Sequence, residues 1–134
     1  MKRITAYVLA LVLTCSCAFS VAGAYYADVP GSSALAGEVE KAVRYGLMNG
    51  YSQAQFGYSD TMTRAQFLVV LTRMLGWQTP SMEEADADIT PAMALPEELS
   101  SQYRYAIACA AAHDVIEKTE PFRPNSPATR AEMA

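Results

Sequence analysis

An ungapped internal repeat constrains the fold of this chain more than any other feature. Residues 56–66 read FGYSDTMTRAQ, and residues 122–132 read FRPNSPATRAE with the same spacing. In each copy a Phe closes a turn-rich stretch, and a Thr-Arg-Ala triplet then starts a predicted helix. Two copies of one spacing predict a repeat architecture, in which each unit is one supersecondary structure and neighbouring units bury a shared core.

The first unit is predicted to start with an extended segment, followed by a helix. Residues 31–33 supply a turn and a candidate N-cap for that helix. Its apolar face is predicted from helical spacing to comprise Leu35, Val39, Ala42, Val43 and Gly46. Gly46 and Gly50 then mark the end of the helix and a turn, because glycine adopts the left-handed conformation found there.

A second helix completes the first unit after a polar and aromatic loop. Thr63 and Gln66 have the spacing of a capping box, which predicts a helix start at this point. Gly76 is the predicted stop. The predicted buried stripe of this helix is Phe67, Val70, Leu71 and Met74.

The second unit aligns with the first after an insertion before its helix, at residues 91–101, and a shortening of its loop by two residues. Its helix is predicted to bury Ile107, Ala110 and Ala111 in place of Val39, Ala42 and Val43. Asp114 and Lys118 replace the two turn glycines. Because Ala134 follows Glu132 by only two residues, the last helix is only begun, and we expect the sequence to be a fragment.

Residues 1–24 are predicted to be a cleaved secretory signal peptide. They combine a basic start, a mostly apolar stretch and a small-x-small site at residues 22–24. A retained membrane helix and a lipoprotein remain as alternatives. Without Lys2 and Arg3 the chain keeps 8 of its 10 basic residues against 14 acidic ones, a net charge of −6, which argues against nucleic acid as a partner. Outside the predicted signal peptide the chain has one cysteine, Cys109, which is predicted to be a small buried hydrophobic residue.

The two Thr-Arg-Ala triplets contain an arginine that the capping box does not require. An arginine in the first turn faces the positive end of the helix dipole, at a cost of about 0.3–1 kcal/mol. Two kinds of partner are possible for Arg64 and Arg130. One is internal, namely Asp28 and Asp88, which precede the first helix of each unit. The other is an external carboxylate or phosphate, held jointly by the guanidinium and free N–H groups of the helix start.

Several segments together resemble the S-layer homology (SLH) repeat of bacterial envelope proteins. They are YADVP at residues 26–30, V-x-x-AV-x-x-GLMNGY at residues 39–51, the closing Phe56, and the TRAQ and TRAE helix starts. The resemblance implies an all-α fold of helix-loop-helix repeats, usually three around a pseudo-threefold axis. It divides the chain into a first repeat at residues 25–77, a linker at 78–84 and an incomplete second repeat at 85–134.

The resemblance also implies a function and a set of site residues. Grooves between such repeats bind anionic, often pyruvylated, polysaccharide linked to peptidoglycan. The predicted ligand-binding residues are Arg64, Arg130, Asp28, Asp88, Thr63 and Gly50. The tryptophan usual near the first helix start of the family falls at Ala34, so an aromatic platform for a sugar is not expected there.

We therefore expect a secreted, non-enzymatic module that anchors its protein to the cell wall without a covalent bond. We expect no cofactor and no metal, since His113 has no ligand cluster at a metal-binding spacing and the acidic residues 83–88 lack the pattern of a calcium loop. Two alternatives stay open: a module that associates with other SLH repeats, and the N-terminal anchor of a truncated envelope enzyme.

Overall fold

The described part of the chain contains four α-helices and one short 3₁₀ helix. The computed structural model describes residues 26–77, 84 and 86–134. Its helices are α1 (Ala36–Arg44), α2 (Arg64–Leu75), α3 (Ser101–Ala112) and α4 (Arg130–Met133), with the 3₁₀ helix Pro91–Met93 before α3. No strand occurs among these residues, although Thr63 and Pro127 form an isolated antiparallel bridge. The predicted all-α architecture of helix-loop-helix repeats is confirmed.

Two predicted segments lie wholly or mainly outside the described residues. They are the signal peptide at 1–24 and the linker at 78–84, of which only Glu84 is described. Within the described ranges, no helix combines the length and the hydropathy that a membrane span requires.

The ends of α2 follow local sequence signals. The hydroxyl of Thr63 accepts a hydrogen bond from the Gln66 amide at 3.3 Å, and the Gln66 side chain accepts one from the Thr63 amide at 2.9 Å. Gly76 ends the helix in the left-handed conformation, with φ at 62°. Thr129 and Glu132 form the equivalent capping box at α4. The predicted helix starts and the predicted stop are confirmed.

The predicted buried stripe of α2 is wrong, because a different face of the helix is buried. Its buried residues are Ala65, Leu68, Val69 and Thr72. Phe67, Val70 and Leu71 are only partly buried, and Met74 is 62% exposed. The reason is that α2 packs against α3 of the second repeat, so a contact between repeats selects its buried face.

The core lies between α2 and α3. Ile107, Ala110 and Ala111 of α3 are fully buried, as the alignment with the first repeat predicts. Small side chains on α3 allow α2 to approach closely, and the fully buried Met93 from the insertion closes one side of the core. Burying a side chain such as that of Ile107 or Met93 contributes roughly 1.5–3 kcal/mol. Cys109 is also fully buried, as predicted.

The first helix of the first repeat is packed quite differently. None of the nine residues of α1, all of them described, is buried. Its N-cap is Leu35, without a side-chain cap, so the prediction of a cap at residues 31–33 is wrong. Ser33 instead accepts a hydrogen bond from the Leu35 amide at 3.1 Å and forms another with the Tyr58 hydroxyl at 2.8 Å.

Matching backbone hydrogen bonds confirm the repeat at the level of geometry. At the end of α1, the Gly46 amide donates to the Val43 carbonyl at 3.0 Å, and at the end of α3 the Asp114 amide donates to the Ala111 carbonyl at 3.0 Å. The loops match in the same way after the two-residue deletion, so that Gly57 and Arg123 are equivalent. Both equivalent pairs have positive φ angles: 69° at Gly46 and 55° at Asp114, 85° at Gly57 and 55° at Arg123.

We expect the left-handed backbone at Arg123 to weaken the second repeat. Replacing Arg123 with Gly should raise the free energy of unfolding by about 1 kcal/mol, since a Cβ atom is disfavoured in this conformation. The matched control is Arg123→Ala, which removes the same charge but keeps the Cβ atom. Chemical unfolding followed by circular dichroism would measure both variants, and equal stabilities would contradict the expectation.

Candidate functional site

The joint between the two repeats is built from backbone groups. The amides of Arg64 and Ala65, in the first turn of α2, donate to the carbonyls of Ser126 and Pro124 at 2.9 and 3.0 Å. The amide of Ala128 returns a hydrogen bond to the carbonyl of Met62 at 2.9 Å. A helix start leaves amides without partners inside the helix, and here the loop of the second repeat supplies those partners.

The Arg64 side chain fastens the same joint. Its guanidinium forms an ion pair with Glu132 of α4 and lies over the ring of Phe122, with 4.7 Å from its central carbon to the ring centroid. The Nε atom is buried and has no hydrogen-bond partner among the described residues. Burial, and secondly the positive charge of Arg123, lower the pKa of Arg64 from its ordinary value. The cation is therefore held in place at some cost in solvation.

This geometry changes both explanations that the sequence left open for Arg64. Its internal partner is Glu132 of the second repeat, whereas Asp28 and Asp88 make other contacts. The amides that an external anion would use at the start of α2 already donate to carbonyls. An anion held jointly by Arg64 and free helix amides is thus not supported at this position.

Asp28 holds the loop of its own repeat. One oxygen of its carboxylate accepts a hydrogen bond from the Phe56 amide at 2.8 Å, and the other accepts two, from the Gly57 and Tyr58 amides, at 2.7 and 3.0 Å. These bonds, led by the one from Phe56, lower the pKa of Asp28 below its usual value. Three amides on one carboxylate stabilise its charged form and fix the start of the loop.

Asp88, the residue aligned with Asp28, has a different partner. Its carboxylate binds the Lys118 ammonium at 2.9 Å, and that ammonium also lies 3.5 Å from Asp114. The hydrogen bond to Asp88 raises the pKa of Lys118. The loop of the second repeat explains why Asp88 does not bind loop amides as Asp28 does. Pro124 stands where the first repeat has Tyr58, and it has no amide hydrogen. The Phe122 amide donates to the carbonyl of Met93 at 3.0 Å instead.

The remaining predicted residues are distributed between the joint, the surface and one groove. Thr63 belongs to the capping box and to the bridge with Pro127. Arg130 is exposed on α4. Gly50 packs tightly, since an added Cβ would lie 2.4 Å from Cε1 of Tyr26 and 2.5 Å from the Gln55 carbonyl oxygen. Of the six predicted site residues, all of them described, Gly50 alone lines the groove that follows.

A groove of about 250 Å³ lies between the loop of the first repeat, α2 and the start of α3. We call it the polar groove. Its polar lining side chains include Asn49, Asp60, Gln66, Arg73 and Gln102. Its aromatic lining side chains are Tyr51, Phe56 and Tyr103. Gln102 is equivalent to Ala34 in the repeat, so neither of these equivalent positions has an aromatic side chain.

Arg73 is the cation of the polar groove and was not among the predicted residues. One of its terminal nitrogens donates to the Leu47 carbonyl at 3.1 Å, and it forms no ion pair within the described chain. Arg64 and Arg73 are nine residues apart, which at 3.6 residues per turn places them on opposite sides of α2. That spacing is visible in the sequence and could have separated the two arginines, but it does not say which side faces a groove.

A second groove, of about 320 Å³, is apolar. It runs along α2 opposite the polar groove, and we call it the apolar groove. Its apolar lining includes Phe67, Leu71, Leu75, Trp77, Val115, Ile116 and Met133. Leu75 and Val115 are 52% and 49% exposed, so this face is uncovered in the described part of the chain.

Comparison with known protein families decides the membership of this chain. The sequence profile of the S-layer homology domain matches residues 25–68 and 99–134, which is more than half of the chain. The chain belongs to the S-layer homology domain family. No curated protein and no solved structure matches it. SLH domains are in general non-catalytic modules that anchor proteins to the cell envelope. Among the described residues of this SLH chain, no group of three or more His, Cys, Asp or Glu side chains could hold a metal ion.

The pKa of Asp28 predicts a pH dependence of stability. Because the folded pKa is lowered, its stabilisation is complete above the unfolded pKa of about 3.9 and is lost as the pH falls through the folded value. Asp28→Asn should therefore lower the melting temperature at neutral pH, and the difference from the wild type should shrink in acid. Thermal unfolding between about pH 2.5 and pH 7 measures this. The control is Asp60→Asn in the same loop, and a difference that stays constant with pH would contradict the expectation.

The two equivalent arginines should differ in their effect on stability. Arg64→Ala removes an ion pair, a cation–π contact and a packed side chain, so the free energy of unfolding should fall by about 1–3 kcal/mol. Arg130→Ala, at the exposed equivalent position, should change it by less than about 0.5 kcal/mol. Chemical unfolding, followed by fluorescence of the single tryptophan, compares them. Equal losses would show that Arg64 does not hold the joint.

Proposed function

We propose that this SLH chain anchors its protein to the bacterial cell wall by binding an anionic, peptidoglycan-linked polysaccharide in the polar groove. The observation that supports this most directly is Arg73. Its guanidinium lines the groove without an acidic partner in the described chain, and only one of its five N–H donors has an identified acceptor, the Leu47 carbonyl. An uncompensated guanidinium suits a carboxylate or phosphate, because its planar fork can donate two hydrogen bonds to one group.

The rest of the lining suits a sugar. The side-chain amides of Asn49, Gln66 and Gln102 can both donate and accept hydrogen bonds, as sugar hydroxyl groups require. The rings of Tyr51 and Tyr103 offer flat surfaces with a polar edge, on which the apolar face of a sugar ring can pack. A concave site that combines apolar surface with a few polar groups is the usual form of a small-ligand site.

The predicted site residues then have two roles. Gly50 shapes the wall of the polar groove directly, because no side chain fits between its Cα atom and Tyr26. We infer that Arg64, Thr63 and Asp28 position the walls: the first two fix the start of α2 and the third fixes the loop. Asp88 pairs with Lys118 in the second repeat, and Arg130 is an exposed cation outside the polar groove. Secretion by the predicted signal peptide would place this module at the cell wall.

Removing the cation of the polar groove should abolish attachment. Arg73→Gln keeps a polar side chain with N–H donors but loses the charge, so retention on purified cell-wall sacculi should fall about tenfold or more. Arg73→Lys should retain part of the binding. A pull-down of the purified chain measures both, with circular dichroism to confirm that the helices are intact.

The control for this experiment is Arg44→Gln. This variant removes a surface arginine that is paired with Glu40 and is the last residue of α1. It should bind as the wild type does. Retention should also weaken with added salt, because dissolved ions screen the attraction between Arg73 and an anionic ligand. Equal retention of Arg73→Gln and wild type would overturn the proposed role of the polar groove.

The apolar groove favours a second candidate function, association with further SLH repeats. A repeat unit normally covers its apolar face with a neighbour, and here Leu75, Val115 and Met133 remain uncovered. The same pull-down separates the two functions. Loss of retention on sacculi stripped of their secondary polymer supports polysaccharide binding, whereas retention that does not depend on the polymer supports association. An enzymatic partner domain remains compatible with either.

A further inference from the structure

The wall of the polar groove contains an asparagine–glycine pair that the packing itself imposes. Residue 50 must be glycine, because a Cβ atom there would lie 2.4 Å from Cε1 of Tyr26 and 2.5 Å from the Gln55 carbonyl oxygen. Asn49 is therefore followed by the residue that least hinders attack of the next backbone nitrogen on an asparagine side chain. Asn49 is exposed, and its carboxamide has no hydrogen-bond partner in the described chain.

Few hydrogen bonds hold the backbone of residues 49 and 50 in the described chain. Residues 48–50 lie outside the helices. The Gly50 amide donates a single long hydrogen bond, 3.3 Å, to the Tyr26 hydroxyl, which is beyond the usual distance for such a bond. Ring closure at this nitrogen thus breaks one weak contact.

We propose that Asn49 is a deamidation site whose product weakens binding of an anion in the polar groove. The Gly50 amide loses its proton to solvent base, and its nitrogen attacks the side-chain carbonyl carbon of Asn49. A new C–N bond closes a succinimide ring, the bond to the side-chain nitrogen breaks, and that nitrogen takes up a proton and leaves as ammonia. Water then opens the ring at either carbonyl and gives aspartate or isoaspartate. No oxidant, reductant or enzyme is needed, and each molecule of ammonia released corresponds to one water consumed.

The product changes the electrostatics of the groove. The charged residues in its lining are Arg73 and Asp60, one of each sign. A carboxylate at position 49 adds a second negative charge to the same wall, which repels an anionic polymer. Isoaspartate also lengthens the backbone by one carbon immediately before Gly50, a residue that packs closely against Tyr26. This regulatory effect rests on the proposed function, whereas the modification itself does not.

The chain provides its own control at Asn125. Asn125 is also exposed, but Ser126 follows it and carries a side chain. Both backbone groups of Ser126 are engaged, because its amide donates to Arg123 at 3.2 Å and its carbonyl accepts from Arg64 at 2.9 Å. For the two asparagines of this chain, the backbone nitrogen that must attack therefore belongs to a glycine after Asn49 and to a serine after Asn125.

Ageing the purified chain in mildly alkaline buffer, followed by peptide mass spectrometry, tests the modification. The peptide with Asn49 should first lose ammonia and then take up water, for a net gain of one mass unit, about tenfold faster than the peptide with Asn125 in the same sample. Conversion of Asn49 that is no faster than that of Asn125 would overturn the site.

Retention on sacculi tests the consequence. Asn49→Asp should weaken retention about tenfold, since one added charge near the ligand costs about 1.4 kcal/mol or more. Asn49→Gln lacks the asparagine side chain that closes the ring, so its retention after ageing should equal its own retention when fresh, and Asn125→Asp should have no effect. If fresh wild type binds and Asn49→Asp binds equally well, the regulatory effect is wrong. If fresh wild type is not retained, the proposed function fails, and the mass result still decides the site.

Discussion

The joint at the start of α2 is the contact on which the rest of the structure depends. The first amides of this helix find their acceptors in the loop of the other repeat, at the carbonyls of Ser126 and Pro124. A buried helix start without such acceptors would be strongly unfavourable. The pairing therefore fixes the register between the repeats, and with it the face of α2 that packs on α3 and the face that lines each groove.

The two arginines of α2 lie in opposite surroundings. Arg64 lies at the positive end of the helix dipole, a poor place for a cation, and Glu132 and the ring of Phe122 compensate it from the other repeat. Arg73 lies on the opposite side and has no acidic partner in the described chain. The first arginine holds the repeats together, and the second is the one that we propose contacts a ligand.

Features set by a few neighbouring residues could be predicted from the sequence, while features set by the joint could not. The capping boxes at Thr63 and Thr129, the stop at Gly76 and the burial of Ile107 depend on local spacing or on alignment of the two repeats. The buried face of α2 depends on where α3 docks, so the apolar pattern alone selected the wrong stripe. Likewise, one proline at position 124 removes an amide, and this redirects Asp88 to Lys118 in a way that aligning it with Asp28 does not reveal.

The two-residue difference between the loops has a consequence for how such repeats can diverge. Backbone geometry is shared before the difference, at Gly46 and Asp114, and after it, at Gly57 and Arg123. The lengths therefore differ only within a short segment that begins beside Gly50 and carries Tyr51 into the polar groove. Insertions and deletions there leave the register of the joint intact. Under the proposed function, ligand preference can change in this segment while the packing between the repeats stays the same, so the scaffold and its specificity can evolve as separate traits.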